Sequence, residues 1–153
     1  MKKNETDIAP LMNIFIGLAQ ATRCCRQDTA FCGGVTFHQY VILDAAVKNK
    51  DLRISDLHGL LGVEKSTTTR LVNPLIANRF LTKEQAASDS RVVRLILTKQ
   101  GLKKHQEVEA CLADFFKKIM CNIPLKDQSI ILQSVQTFIG AIKNASGTCN
   151  CCN

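Results

Sequence analysis

The chain carries eight cysteines, and six of them fall in two short groups. The stretch RCCRQDTAFCGGVTF, from Arg23 to Phe37, holds Cys24, Cys25 and Cys32, while the final CNCCN holds Cys149, Cys151 and Cys152. Thiolates are soft ligands that select copper(I), zinc and other thiophilic ions over hard cations. A structural zinc finger needs two spaced pairs, and only Cys149 with Cys152 has C-x-x-C spacing, so no cofactor is expected for folding. Three thiols without a fourth ligand better suit a three-coordinate soft ion: arsenic(III), antimony(III), bismuth(III) or mercury(II). All six cysteines are therefore candidate metal ligands, within one chain or between two. The same residues support a second chemistry, a reversible disulfide of Cys24 or Cys25 with Cys32 or a tail thiol, which would sense an oxidant. A thiol enzyme acting on metal compounds would need a positioned acid or base. Only Asp28 and His38 stand nearby, so no catalytic residue is assigned and the chain reads as a non-enzyme. His38 reads as a hydrogen-bonded histidine rather than a ligand, Cys111 as a small buried hydrophobe, and Cys121, at a helix end, as structural.

The setting of these thiols follows from composition. A chain of 153 residues that is 46% hydrophobic buries a core without covalent staples, so a single domain with helical extensions is expected. Lys2 and Lys3 precede an apolar stretch, but Glu5 and Asp7 interrupt it, and Ile8, Leu11, Phe15, Leu18 and Ala19 recur at helical spacing. That pattern predicts an amphipathic helix rather than a signal peptide. No apolar run reaches the roughly 18 residues of a membrane span. A cytoplasmic location with mostly reduced thiols is the expectation. Net charge is +7, and between residues 65 and 94 Lys65, Arg70, Arg79, Lys83, Arg91 and Arg94 face only Glu84 and Asp89. Such a surface points to a polyanionic partner.

The elements that must position these groups are mainly helical. Helices are predicted at about 5–27 and 37–48, separated by the Gly33-Gly34 turn, with Thr36 and Gln39 as a capping box for the second. Lys48, Lys50, Asp51 and Arg53 read as a solvated loop. A third, short helix begins after Ser55 as N-cap, carries Leu57, Leu60 and Leu61 on one face, and ends at Gly62. The segment VEKSTTTRLVNPLIANRF predicts a fourth helix that buries Val63, Leu71, Val72, Leu75 and Ile76. Two short helices joined by a tight glycine turn are a helix-turn-helix. FLTKEQAA, the polar tip SDSR and the run VVRLILT predict a two-stranded hairpin. Thr98 then caps a long helix to about 121 with the stripe Leu102, Val108, Leu112, Phe115 and Ile119, and Pro124 separates it from a last helix at about 126–144. Asn144 to Gly147 reads as a flexible lead into the tail. The expected class is mainly α with a small two-stranded β wing: a winged helix-turn-helix at 36–100, an N-terminal dimerisation helix and Cys-rich loop at 1–35, C-terminal dimerisation helices at 101–144, and a Cys-rich tail at 145–153.

A helix that enters the major groove needs short polar side chains at its N-terminal end, where the backbone approaches the bases, and a long donor to reach a base edge or phosphate. Ser66, Thr67 and Thr69 are the short ones, Arg70 is the long one, and Asn73 continues the same outward face. The segment DSRVVRLILTKQG resembles the wing signature of the MarR family of bacterial winged-helix transcription regulators: Asp, any residue, Arg, a strand ending in Leu-Thr, then a helix start containing Gly. ISDLHGLLGVEKSTTTRLVNPLIANRFL resembles that family's helix-turn-helix in wording and spacing, and the likeness covers residues 36–105. Two positions depart from the pattern. Thr68 stands where an apolar residue is usual, and Pro74, inside the recognition helix, removes a hydrogen bond to the Arg70 carbonyl at a cost of about 3 kcal/mol if uncompensated. The resemblance implies a homodimeric regulator, read as a repressor, on double-stranded DNA with a pseudo-palindromic operator. It also implies that Asp89 and Arg91 pair to shape the wing tip, with Arg91 or a neighbour near the minor groove. The junction of the first two helices would lie near the effector cleft, where an aromatic ligand is the alternative to a thiophilic ion or oxidant. A winged helix that binds protein rather than DNA is a further alternative.

Overall fold

The computed structural model describes residues 9–21, 32–86 and 89–146. In chain order these form α1 (Ala9–Ala21), α2 (Phe37–Lys48), α3 (Ile54–Leu61), α4 (Lys65–Ala77), β1 (Leu81–Ala86), β2 (Asp89–Leu97), α5 (Lys99–Cys121) and α6 (Leu125–Ser146). The chain divides into two compact units, residues 1–111 and 112–153.

In the first unit α1 accounts for residues 9–21 of the helix expected at about 5–27, whose two ends lie outside the described residues, and the start of α2 and the end of α3 carry their predicted punctuation. The Thr36 hydroxyl accepts the Gln39 N–H at 3.3 Å and the Gln39 side chain accepts the Thr36 N–H at 2.9 Å, so α2 starts on the expected capping box. Gly33 and Gly34 take φ of +62° and +78°, and Gly62 ends α3 at φ +61° with its N–H on the His58 carbonyl. The core is built from Ile42 and Leu43 of α2, Leu57 of α3, Leu71, Val72 and Leu75 of α4, Leu81 of β1, Leu95 of β2 and Val108 of α5, all buried. Each contributes roughly 1.5–3 kcal/mol on leaving water. Expectation and structure differ on α3, where Leu60 is 52% exposed and only Leu57 is fully buried. An eight-residue helix has room for one deep anchor.

The start of α3 also differs. Arg53, not Ser55, sits at the cap position, and the Asp56 carboxylate accepts the Arg53 N–H at 2.9 Å. The reason lies one residue earlier. Leu52 is buried, its carbonyl accepts the Leu95 N–H at 2.8 Å, and Arg53 forms a β-bridge with Arg94. Leu52 and Arg53 are thus pinned to β2 at its edge, while Lys48, Lys50, Asp51 and Arg53 keep the exposed side chains expected of a solvated segment. The Asp51 carboxylate lies 2.7 Å from Arg94 Nε, a charge contact without hydrogen-bond alignment, and Lys48 pairs with Asp44 at 2.6 Å.

β1 and β2 pair antiparallel, with Leu81 opposite Leu97 and Glu84 opposite Arg94. Ala86 pairs with Asp89 after a register shift, so Asp89, Ser90 and Arg91, expected in the tip, belong to the strand. The register shift falls between Gln85 and Ala86, so residues 90–92 of β2 have no Cα partner in the ladder.

Thr98 caps α5 as expected, its hydroxyl accepting the Gly101 N–H at 2.9 Å and donating to the Arg79 carbonyl at 2.7 Å. Gly101 is required here, because a Cβ would collide with the Phe80 carbonyl. Further along α5 the buried His105 places Nε2 3.2 Å from the Asp44 carboxylate, and the Tyr40 ring stacks on its imidazole at 5.3 Å. Partial burial alone would raise the Asp44 pKa; hydrogen bonds from Lys48 and His105, with their charges, outweigh it and hold the carboxyl below its ordinary value. Burial, and then the negative charges of Asp44 and Glu109, push the Tyr40 hydroxyl up.

In the second unit the Gln128 side chain donates to the Met120 and Ile123 carbonyls at 3.0 and 3.1 Å, fixing the turn between α5 and α6. Phe116, Ile130, Leu132, Val135 and Ile139 are exposed. α6 runs through Ser146, so the expected flexible lead is helical over residues 144–146; no breaker intervenes before Gly147. Among the described residues no helix is long and apolar enough to cross a membrane.

Candidate nucleic-acid interface

α4 presents one face to the core and the other to solvent, as its period requires. Thr68, Leu71, Val72 and Leu75 are buried, whereas Ser66, Thr69, Arg70 and Asn73 are exposed and Thr67 is half-buried. The helix continues through Pro74, whose ring stands on the exposed side, and the Asn78 N–H donates to the Pro74 carbonyl at 2.9 Å. Thr68 is the polar residue in an otherwise apolar stripe. It is fully buried, donates its hydroxyl to the Glu64 carbonyl at 3.2 Å and meets His58 Nδ1 at 2.9 Å, which ties α3 to the start of α4. Thr69 turns its hydroxyl back to the Lys65 carbonyl at 3.1 Å.

A groove of about 480 Å³ opens between α3, α4 and β2, lined by residues that include Arg53, Ser55, His58, Lys65, Ser66 and Thr69. Two of the linings are cationic, and both sit where a helix begins. Arg53, Ser55 and His58 were not among the sequence candidates. The usable signal was the position of Arg53 immediately before an amphipathic helix, where the partial positive charge of the N-terminus adds to a guanidinium. In the wing, the backbones of Asp89 and Arg91 lie on β2, but their expected side-chain pairing falls outside the described residues.

The cysteines are arranged differently from the expectation. Cys32 is bonded to Cys111, with 6.2 Å between the Cα atoms. Cys111 is exposed on α5, so its reading as a buried hydrophobe fails: it lies at the end of the α5 face that carries Lys104 and Val108, the face against which the glycine turn is laid. Cys32 is thereby removed from a free three-thiol group. Cys24, Cys25, Cys149, Cys151 and Cys152 lie outside the described residues, Cys121 is free and exposed, and no group of three or more potential metal ligands occurs among the described ones. His38, expected to be hydrogen-bonded, has a buried Nδ1 without a partner among the described residues.

Comparison with known proteins agrees with this geometry. The sequence model of the transcriptional regulator SarA/Rot family matches residues 33–108, the span from the glycine turn through the wing into α5. No curated protein matches the chain. The transcriptional regulator Tm0710 of Thermotoga maritima is 26% identical over 89% of this chain and 96% of its own, with a TM-score of 0.57. The PcaV transcriptional regulator of Streptomyces coelicolor is 21% identical over 88% and 98%, with a TM-score of 0.72. Streptococcus pneumoniae FabT, solved in complex with DNA, is 19% identical over 89% and 94%, with a TM-score of 0.66. A MarR transcriptional regulator of Methanosarcina mazei shares the fold at a TM-score of 0.65. The two-stranded wing and the helix-turn-helix thus give the chain the winged-helix fold of these transcriptional regulators, and residues 33–108, which span both, match the SarA/Rot regulator model.

Proposed function

We propose that the chain binds double-stranded DNA sequence-specifically as a homodimeric repressor, with α4 in the major groove and the hairpin beside it. The observation that carries this reading is the exposed face of α4, which combines short polar side chains at Ser66 and Thr69 with the long donor Arg70 and the amide of Asn73. Arg53 and Lys65 beside that face are suited to flanking phosphates. The exposed apolar residues of α1 and α6, such as Met12, Ile14, Ile130 and Leu132, support dimerisation through residues 1–35 and 101–144. A two-fold pair of recognition helices calls for half-sites about one helical turn, roughly 34 Å, apart. Selection from a random pool of duplexes, followed by footprinting, tests this. An enriched pseudo-palindrome with that spacing is expected, and a pool with no enriched motif contradicts the reading.

For the effector we infer cysteine chemistry: a thiophilic ion such as arsenic(III), antimony(III), bismuth(III) or mercury(II), held by thiolates drawn from Cys24, Cys25, Cys149, Cys151 and Cys152, with Cys32 joining them only when its bond to Cys111 is reduced. Support comes from the density of soft ligands at the segment leading into α2 and at the chain end, neither of which lies on α4. An ion bound there acts by favouring one arrangement of the protein over another, and needs a preference of about 5.5 kcal/mol to swing a population from 1:99 to 99:1.

A further inference from the structure

We propose that His58 is a phosphate ligand of the DNA interface, donating from Nε2 while Thr68 holds Nδ1, so that the protein takes up a proton at this ring when it binds DNA, a role that rests on the DNA-binding reading above. One nitrogen of the ring is already committed. Thr68 is fully buried and its hydroxyl donates to the Glu64 carbonyl, so its oxygen receives the Nδ1 proton of His58 across 2.9 Å. A neutral imidazole carries a single proton, and here Nδ1 has it. Nε2 is then a bare lone pair, able to accept but not to donate until a second proton arrives. Thr68 also fixes where the ring stands. His58 lines the groove of about 480 Å³ between α3, α4 and β2, in company with Arg53, Lys65, Ser66 and Thr69.

The surroundings of the groove decide when the second proton is held. Its charged neighbours are Arg53 and Asp56 at the start of α3, Glu64 and Lys65 at the start of α4, and Arg94 on β2. Asp56 accepts the Arg53 N–H at 2.9 Å and Arg94 lies 2.7 Å from Asp51, so both are engaged elsewhere. Arg53 and Lys65, which share the groove with His58, oppose a third positive charge there, whereas the carbonyl end of α3, whose last turn holds His58, favours one. Ser66 and Thr69 belong to the exposed face of α4, so the groove beside them lies where the phosphates flanking the contacted bases would run. A phosphate in the groove offsets the two cations and gives Nε2–H an anionic acceptor, a charge-assisted hydrogen bond. The proton is drawn from solvent, one per ring. The protonated ring therefore holds DNA more tightly than the neutral one, and the added affinity is present at low pH and lost as pH rises through the titration of the complex.

The test is made on the full chain with a duplex recovered from a random pool, by fluorescence anisotropy across pH and by proton NMR of the histidine rings with and without that duplex. The chain has three histidines, and loss of one signal in His58→Asn or His58→Gln identifies the ring of interest. His58→Asn places an amide N–H near the position of Nδ1, which keeps a donor for Thr68, and carries no charge. Wild type should bind at least about fivefold tighter at about pH 6 than at about pH 8, the span in which histidine gains its charge. His58→Asn should lose affinity chiefly at the acid end, so that its pH slope is flatter, and the NMR titration midpoint of His58 in wild type should be higher in the complex than in the free protein. A midpoint that is equal or lower in the complex overturns the proposal, as does a wild-type pH slope in His58→Asn. Protein that binds no duplex at any pH fails the DNA reading and takes the proposal with it, whereas selective binding with a silent His58 fails the proposal alone.

Discussion

His58 Nδ1 and Thr68 Oγ1 lie 2.9 Å apart, the polar contact that ties α3 to the buried face of α4. Because the Thr68 hydroxyl already donates to the Glu64 carbonyl, it accepts from His58, which fixes the proton on Nδ1. Thr68→Val keeps the shape and removes the acceptor. Urea denaturation should show a loss of about 1–3 kcal/mol, the desolvation cost of a donor left unpaired. No change in the midpoint would mean that the contact contributes nothing to holding the two helices.

Gly101 packs directly under the Phe80 carbonyl at the junction of α4, β1 and α5. Gly101→Ala forces the backbones apart, and the collision should exceed the helix-propensity gain of alanine, lowering stability by about 3 kcal/mol or more. Chemical denaturation checks the sign: a stabilised variant would show that this junction yields freely.

The Asp44 carboxyl is held below its ordinary pKa against Lys48 and His105. Its folded value is thus below its unfolded value, so its contribution to stability is complete above the unfolded value and is lost as pH falls through the folded one. Thermal melts on the acid side of neutrality should show wild type losing stability more steeply than Asp44→Asn. Parallel slopes for the two proteins would contradict the ion-pair account.

Sodium arsenite should release reduced wild-type protein from its duplex, whereas Cys25→Ser or removal of residues 149–153 should leave DNA affinity intact and abolish the response. Zinc and magnesium at the same concentration should do little. Wild-type behaviour from a variant lacking all six cluster thiols would make the cysteines bystanders and turn the search to an organic ligand.

Much of this molecule is legible in its sequence. The capping box at Thr36 and Gln39, the stop at Gly62, the outward face of α4 and the cap at Thr98 are local rules, each satisfied within a few residues. What escaped was non-local. Leu52 pulls a charged segment onto β2 through a hydrogen bond to Leu95, 43 positions away, and so displaces the start of α3 from the better capping residue. The pairing of Cys32 with Cys111 spans 79 positions, and spacing alone favoured the nearer thiols. Thr68 looked like a defect in an apolar stripe because its partner, His58, belongs to another helix.

Arg70 on the exposed face of α4 is the side chain on which the DNA reading turns. The most direct measurement is an anisotropy titration of reduced protein against the selected duplex and a scrambled one across a range of salt, for wild type and Arg70→Ala. Wild type should prefer the selected duplex, with log Kd rising steeply with log salt as neutralised phosphates release counterions. Arg70→Ala should cost about 1–3 kcal/mol and relax selectivity at one base pair per half-site. Equal affinity for both duplexes with no salt slope, unchanged by Arg70→Ala, would contradict the account.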